Sequence, residues 1–306
     1  ATKWGDVRRQ AARLRLVYRL ADLGRPHQRA AKISANARQS KVERSTYVSP
    51  RGSTITRLPA LVGCPTAAGT LAAVRTLGRS GIPVSVCGER GLNAARLSRF
   101  AHSYWTLDSA RSEAGFLIGL RHWAKQAAKH VLLPASDETA WLFAKHSEEL
   151  QRDFTVYAPR LEIVESIIDK QKLWHACNAA GLSTLPSWFP ETLSEVAKLS
   201  PEVEFPVVVK PRRHLFRAWR QKGIVAESAV ELEEAFETFA RREQGEDGGP
   251  GTGQPLPVIQ SFVKAAVENV LSIVGFIDKT GTRTVTGATR KVLQRSRPVG
   301  VGLAFE

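Results

Sequence analysis

One short run limits the fold more than any other part of this sequence: Phe205-Pro206-Val207-Val208-Val209-Lys210-Pro211. Three consecutive β-branched residues predict a strand covered on both faces, hence a sheet with other layers packed against it. Pro211 removes a ladder donor and stops the strand. Lys210 therefore stands at the end of a buried run. A cation there either emerges into solvent as the first wet residue or meets a partner of opposite charge.

The surrounding pattern is α/β alternation that begins near Leu58. Residues 59–64 read as a strand, 70–77 as a helix ended by Gly78 and Gly81, and 82–87 as a second strand, which together make a right-handed βαβ unit. A helix over 114–129 and a strand over 131–134 follow. That strand delivers Ser136, Asp137 and Glu138, which suit either a ligand at the carboxyl end of a parallel sheet or a helix N-cap. Helices are predicted over 139–150, over 169–180 (closed by Gly181) and over 230–240, with the strand 205–210 between the last two. Residues 244–254, rich in glycine and acidic side chains, read as an exposed loop. Residues 256–264, 267–277 and 284–290 read as antiparallel strands, with Asp278-Lys279-Thr280-Gly281 supplying turn chemistry between the last two. The expected class is α/β, with a parallel unit over 58–165, a small α+β lobe over 166–255 and the start of an antiparallel lobe over 256–306.

Charge separates off a further segment. Residues 1–57 hold 14 Lys and Arg against 3 Asp and Glu, leaving 30 against 26 for the rest of the 306 residues. The formal charge of +15 thus belongs mainly to this basic extension and not to the globular body, and nucleic acid is not expected as a partner of that body. The extension reads either as an arm that touches anionic partners or as a charge-rich segment without fixed structure. Cys64, Cys87 and Cys177 form no CxxC pair and no even framework, which fits a reducing, cytoplasmic setting. No apolar run approaches the roughly 20 residues of a membrane span. The chain holds no methionine and begins at Ala1, so its start is expected to be missing.

Several chemistries lack their motif: there is no GxxxxGK[ST], no GxSxG and no HExxH. His175 and Cys177 lie two apart on a predicted helix and point away from each other, so they read as structural. Gly249, Gly251 and Gly253 follow no strand and open no helix. What remains is an ordered set: DKQKLWHACNAAGLSTLP at 169–186, FPVVVKP at 205–211, VIQSFV at 258–263 and RKVLQ at 290–294.

In order and spacing these four segments resemble the ATP-grasp carboxylate–amine ligases, in the branch of ATP-dependent carboligases related to D-aspartate ligase, and the resemblance covers roughly residues 58–306. The resemblance implies an ATP-grasp fold with a pre-ATP-grasp α/β domain and an incomplete C-terminal lobe. It also implies an ATP-dependent ligase that forms a C–N bond through an acyl phosphate and releases ADP. By the same resemblance Lys170 and Lys210 contact the phosphates, Gln260, Ser261, Phe262 and Val263 present backbone groups to the adenine edge, and Glu268 joins the nucleotide-binding set. Arg290 and Lys291 become the catalytic cations that meet charge developing in transfer. The cofactors implied are ATP and Mg²⁺, with the metal ligands expected past Glu306 and none assigned within this chain, so efficient ligation by this chain alone is not expected. Small carboxylate and amine substrates are the expected partners, and a homodimer is left open. The sequence departs from the pattern at Arg212 to Gly223, basic where relatives carry a flexible phosphate-covering loop, and at Ser261, where Glu is common. A non-catalytic ATP-binding or scaffold protein with a basic partner-binding arm is the alternative.

Overall fold

The computed structural model describes residues 45–48, 54–63, 68–88, 91, 93–107, 112–215, 221–244, 255–278, 280–295 and 298–306. The basic extension as far as residue 44, the middle of the basic segment at 216–220 and the glycine-rich stretch 245–254 lie outside these residues. The description concerns the compact unit that spans residues 41–306. It opens with β1 (Ser45–Val48) and β2 (Thr54–Arg57), an antiparallel pair.

Next comes a parallel layer. β3 (Ala60–Val62), α1 (Ala68–Arg79) and β4 (Val84–Gly88) form the predicted βαβ unit, and α1 ends where glycine allows it. Gly81 has φ 71°, donates to Gly78 O and lets Ile82 N reach back to Leu77 O, a Schellman closure. β5 (Ala101–Thr106), α2 (Glu113–Ala124), β6 (Val131–Leu133), α3 (Asp137–Lys145), α4 (Ser147–Leu150) and β7 (Thr155–Val156) complete this part. The five strands are parallel in the order β5-β4-β3-β6-β7. Ser136 is the N-cap of α3 in a reciprocal capping box with Thr139, so its hydroxyl serves the helix. The predicted helix 139–150 is instead two, separated at His146.

The middle part is where the opening run falls. α5 (Leu161–Ile168), α6 (Lys170–Ala179), β8 (Ser187–Trp188), α7 (Leu193–Leu199), β9 (Val207–Lys210), β10 (Ile224–Ala226), α8 (Ala229–Gln244) and β11 (Val258–Ser261) follow in chain order. The sheet is antiparallel, ordered β10-β9-β11-β8, so β9 is interior as its composition requires. Val207, Val208 and Val209 are at most 2% exposed. Alternation sends Val207 and Val209 to one face, where Leu232, Phe236 and Phe239 of α8 and Val196 of α7 close a core with Ile259. Val208 and Lys210 occupy the other face. β11, which the sequence places at the head of the third segment, pairs directly with β9 in this sheet.

The last three strands, β12 (Val270–Ile277), β13 (Thr284–Arg295) and β14 (Val301–Phe305), form an antiparallel meander. Asp278 shapes the turn between the first two, its carboxylate accepting from the amides of Thr280 and Thr282, with Gly281 at φ 74°. Residues 264–267 are a 3₁₀ turn, so β12 starts three residues later than the sequence suggests. Many large apolar side chains of this sheet face solvent, including Leu271, Ile273, Phe276 and Val285. Among the described residues no helix is long and apolar enough to cross a membrane.

Candidate functional site

The second face of the middle sheet carries a line of polar groups. In the β9–β11 ladder Val258 lies opposite Lys210 and Gln260 opposite Val208, which makes Lys210 and Gln260 diagonal neighbours on one face. Lys210 Nζ donates to Gln260 Oε1 at 2.9 Å. Gln260 Nε2 donates to Ser187 Oγ at 3.0 Å, and that hydroxyl donates to Leu185 O at 3.0 Å. The chain of bonds fixes which end of the amide meets the ammonium. Burial pushes the Lys210 ammonium below its ordinary pKa. Among the described residues its partner is a neutral amide oxygen and no carboxylate, so its charge is left uncompensated.

A second element reaches the same end of β9. Asp169 is the N-cap of α6, its Oδ1 accepting from Gln171 N and Lys172 N at 3.0 and 3.2 Å. The same carboxylate takes Arg212 Nε on Oδ1 and Arg213 Nε on Oδ2, both at 2.8 Å, and its side chain is fully enclosed. Burial alone would raise its pKa. The bonds from Arg212 and Arg213 and the Lys172 amide outweigh that and hold it at about 2. Lys170 adds a tie: its backbone N and its Nζ both donate to Arg212 O, at 3.2 and 3.4 Å. Residues some 40 positions apart in sequence are thereby joined, and Lys170 is brought beside the Lys210-Pro211-Arg212 corner.

The sequence quotes Asp169 and Arg212–Arg213 without connecting them. The signal that links them is a carboxylate at a helix N-cap together with two consecutive arginines directly after a buried strand. Beside the corner runs a cleft walled by Phe189, Pro190, Pro255 and Leu256, with Arg212 contributing its side chain.

The segment after β11 is more selective than the sequence implies. Of its amides, Ser261 N donates to Pro186 O and Phe262 N to Pro206 O, both at 3.0 Å, while Gln260 is held within the sheet on both sides. The Val263 amide meets no acceptor among the described residues, and its side chain is 43% exposed. The expectation of four presenting residues thus narrows, for the donor, to Val263, because the other amides are used to build the strand end itself.

Arg290 and Lys291 lie consecutively on β13, opposite Leu271 and Val270 respectively. Strand alternation points them to opposite faces of the third sheet, so they do not converge on one group. Arg290 is bound to the carboxylate of Glu306, with Nε at 2.7 Å, and pairs with it through both backbone bonds. Lys291 Nζ donates to Gln294 Oε1 at 2.9 Å. Glu268 is exposed at the end of the 264–267 turn, two residues before β12. Among the described residues no group of three or more His, Cys, Asp or Glu side chains gathers to hold a metal ion.

No protein-family model and no curated protein matches the sequence. Solved structures do match in fold. A carboxyaminoimidazole ribonucleotide synthase from Aspergillus clavatus, complexed with ATP, superposes with a TM-score of 0.54 at 15% identity over 77% of this chain and 55% of its own. A biotin carboxylase from Campylobacter jejuni gives 0.55 at 16%, over 78% and 52%. An L-amino acid ligase from Bacillus licheniformis gives 0.54 at 14%, over 79% and 52%. The chain spans about half the length of these structures. The architecture they share with it, a parallel α/β unit followed by two antiparallel sheets, is the ATP-grasp fold.

Proposed function

We propose, from the ATP-grasp fold as premise, that this chain supplies the nucleotide-binding elements of an ATP-dependent carboxylate–amine ligase. A carboxylate oxygen attacks the γ-phosphorus of ATP, the bond to the β-phosphate oxygen breaks, and ADP leaves. The resulting acyl phosphate is attacked at carbon by an amine, which loses a proton as inorganic phosphate departs. Lys210 and Lys170 meet the phosphates, the Val263 amide meets the adenine edge, and apolar neighbours enclose the ring. Of the consecutive pair on β13, only the side chain on the nucleotide-facing side of that sheet can meet the transferring group. Mg²⁺, when bound, would offset the negative charge of the phosphates. Among the described residues no group of three or more His, Cys, Asp or Glu side chains is assembled to hold it. ATP-bound and MgADP-bound neighbours of the same fold support the nucleotide assignment.

The observation that carries this reading is Lys210, a half-buried cation held in place by a neutral amide. Such a group costs free energy unless an anion arrives to meet it. Titration calorimetry with ATP tests the reading. Saturable binding by the wild-type chain, weakened about ten- to hundredfold in Lys210→Ala and unchanged in Lys198→Ala, is expected. Equal affinities for the two variants would remove Lys210 from the site. Binding without ADP release across a panel of amino acids and other carboxylates would favour a non-catalytic nucleotide-binding protein instead.

A further inference from the structure

The corner between β9 and α6 holds more positive charge than the site just described uses. Arg212 and Arg213 share the single carboxylate of Asp169, and Lys210, two residues before Arg212, meets the neutral amide of Gln260. The two arginine side chains are only 23% and 28% exposed, so solvent screens them incompletely. Both use the inner nitrogen, Nε, on Asp169. Their terminal nitrogens meet no hydrogen-bond acceptor among the described residues. The other carboxylate that acts on Arg213, that of Glu165, is already engaged by Lys172 Nζ at 3.1 Å and Trp141 Nε1 at 3.5 Å. Two planar guanidinium groups are therefore fixed at their inner ends and open at their outer ends, an arrangement suited to oxyanions.

We propose that Arg212 and Arg213, aligned by Asp169, grip the polyphosphate of the bound nucleotide through their terminal nitrogens. The charge count selects this ligand over a single carboxylate: Arg212, Arg213 and Lys210 against Asp169 leave two excess cations, of which one carboxylate would balance only one, whereas a triphosphate brings several negative charges in one chain. Asp169 is the positioning residue. It orients both forks and caps α6, so that Lys170 and the arginines approach the phosphates as one rigid unit. The inference rests on the nucleotide-binding reading above and adds to it a side-chain clamp formed by Arg212 and Arg213.

Equilibrium titrations of the 306-residue protein with ATP, adenosine and inorganic tripolyphosphate test it. Arg212→Gln and Arg213→Gln are each expected to lose about ten- to hundredfold in affinity for ATP and tripolyphosphate, with adenosine unchanged. If both variants bind ATP as the wild type does while Lys210→Ala is weakened, the clamp is overturned and the nucleotide reading stands. If the wild type binds neither ATP nor tripolyphosphate, both fall. Each variant withdraws a partner from a buried carboxylate, so a second readout uses the unaltered protein. Phenylglyoxal modification is mapped by peptide mass spectrometry with and without saturating ATP. ATP is expected to shield Arg212 and Arg213 but not Arg241, whose partner is Glu237 on the same helix. Absence of that shielding overturns the clamp whatever the variants do.

Discussion

Replacing Gln260 by Glu isolates the role of charge at Lys210, because it changes one amide nitrogen to oxygen and leaves the side-chain shape nearly intact. In the wild type the ammonium lies 2.9 Å from Gln260 Oε1. A full negative charge at that position would attract Lys210 by about 4 kcal/mol at an effective dielectric near 20 and a charge separation of roughly 4 Å. Desolvating the new carboxylate offsets much of that gain, so the melting temperature is expected to hold or rise. ATP affinity moves the other way. With Lys210 compensated from within, the phosphate loses most of a charge-assisted contact, about 1.5–3 kcal/mol. Calorimetric titration of ATP into Gln260→Glu, beside Gln260→Leu as a control that removes the acceptor without adding charge, separates the two effects. Loss in the Glu variant well beyond that in the Leu variant is the expected pattern. Equal losses would make Gln260 a purely structural support, and a Glu variant that binds ATP like wild type would refute the argument that an uncompensated Lys210 is what the nucleotide meets.

Acidification should weaken the fold through Asp169. Its carboxyl sits at about 2 in the folded chain against an ordinary 3.8, so the unfolded state binds the proton first. The stabilisation, about 2 kcal/mol, is present above pH 4 and is lost as pH falls from there towards 2; urea melts across that range check it, and an Asp169→Asn protein should lack the slope. The exposed apolar sheet β12–β14 should drive self-association. Ile273, 86% exposed, and Val285, 67% exposed, changed together to Thr, are expected to lower concentration-dependent light scattering while leaving the thermal midpoint nearly unchanged, since neither side chain is packed in a core. A drop in the midpoint of several degrees would show that this face is buried in solution.

Legibility in the sequence tracked how local the physics was. β9 was readable because three β-branched residues between two prolines leave few alternatives, and α1 and α6 were readable because Gly81 and Gly181 adopt the positive φ that ends a helix. β5 was not predicted: His102 and Ser103, both exposed, are consecutive on a strand at the edge of the parallel sheet, and its apolar residues are only partly buried, so no alternation stands out. β8 is two residues long and exists because Ser187 and Trp188 pair with Gln260 and Ile259, a tertiary fact. α5 buries only Val164 and has no side-chain cap, so neither its start nor its face is marked. The segment VIQSFV at 258–263 was singled out by its motif. Which of its amides remains open depends on Pro186 and Pro206 accepting from two of them, and a linear pattern does not reveal that.

The pairing of the cations distinguishes the site from the rest of the surface more sharply than their number does. Elsewhere among the described residues the basic side chains that engage carboxylates do so close to one for one: Lys172 with Glu165, Lys145 with Glu113, Arg241 with Glu237, Arg290 with Glu306. Such exposed pairs contribute little to stability and carry no surplus charge. At the end of β9 the ratio changes. Two arginines share Asp169, and Lys210 has an amide in place of a carboxylate. For Asp169 the bonds from Arg212 and Arg213 outweigh the cost of burial, whereas Lys210 is desolvated against a neutral amide that does not cancel its cost. The compensation must then come from the rigid core of Val207, Val209 and Ile259 against α8, which fixes β9 from its other face. On the proposed nucleotide-binding reading, a strand that is apolar on one side and ends in half-buried cations on the other stores part of its folding energy as affinity for an anion, which would be why so buried a run finishes on a lysine.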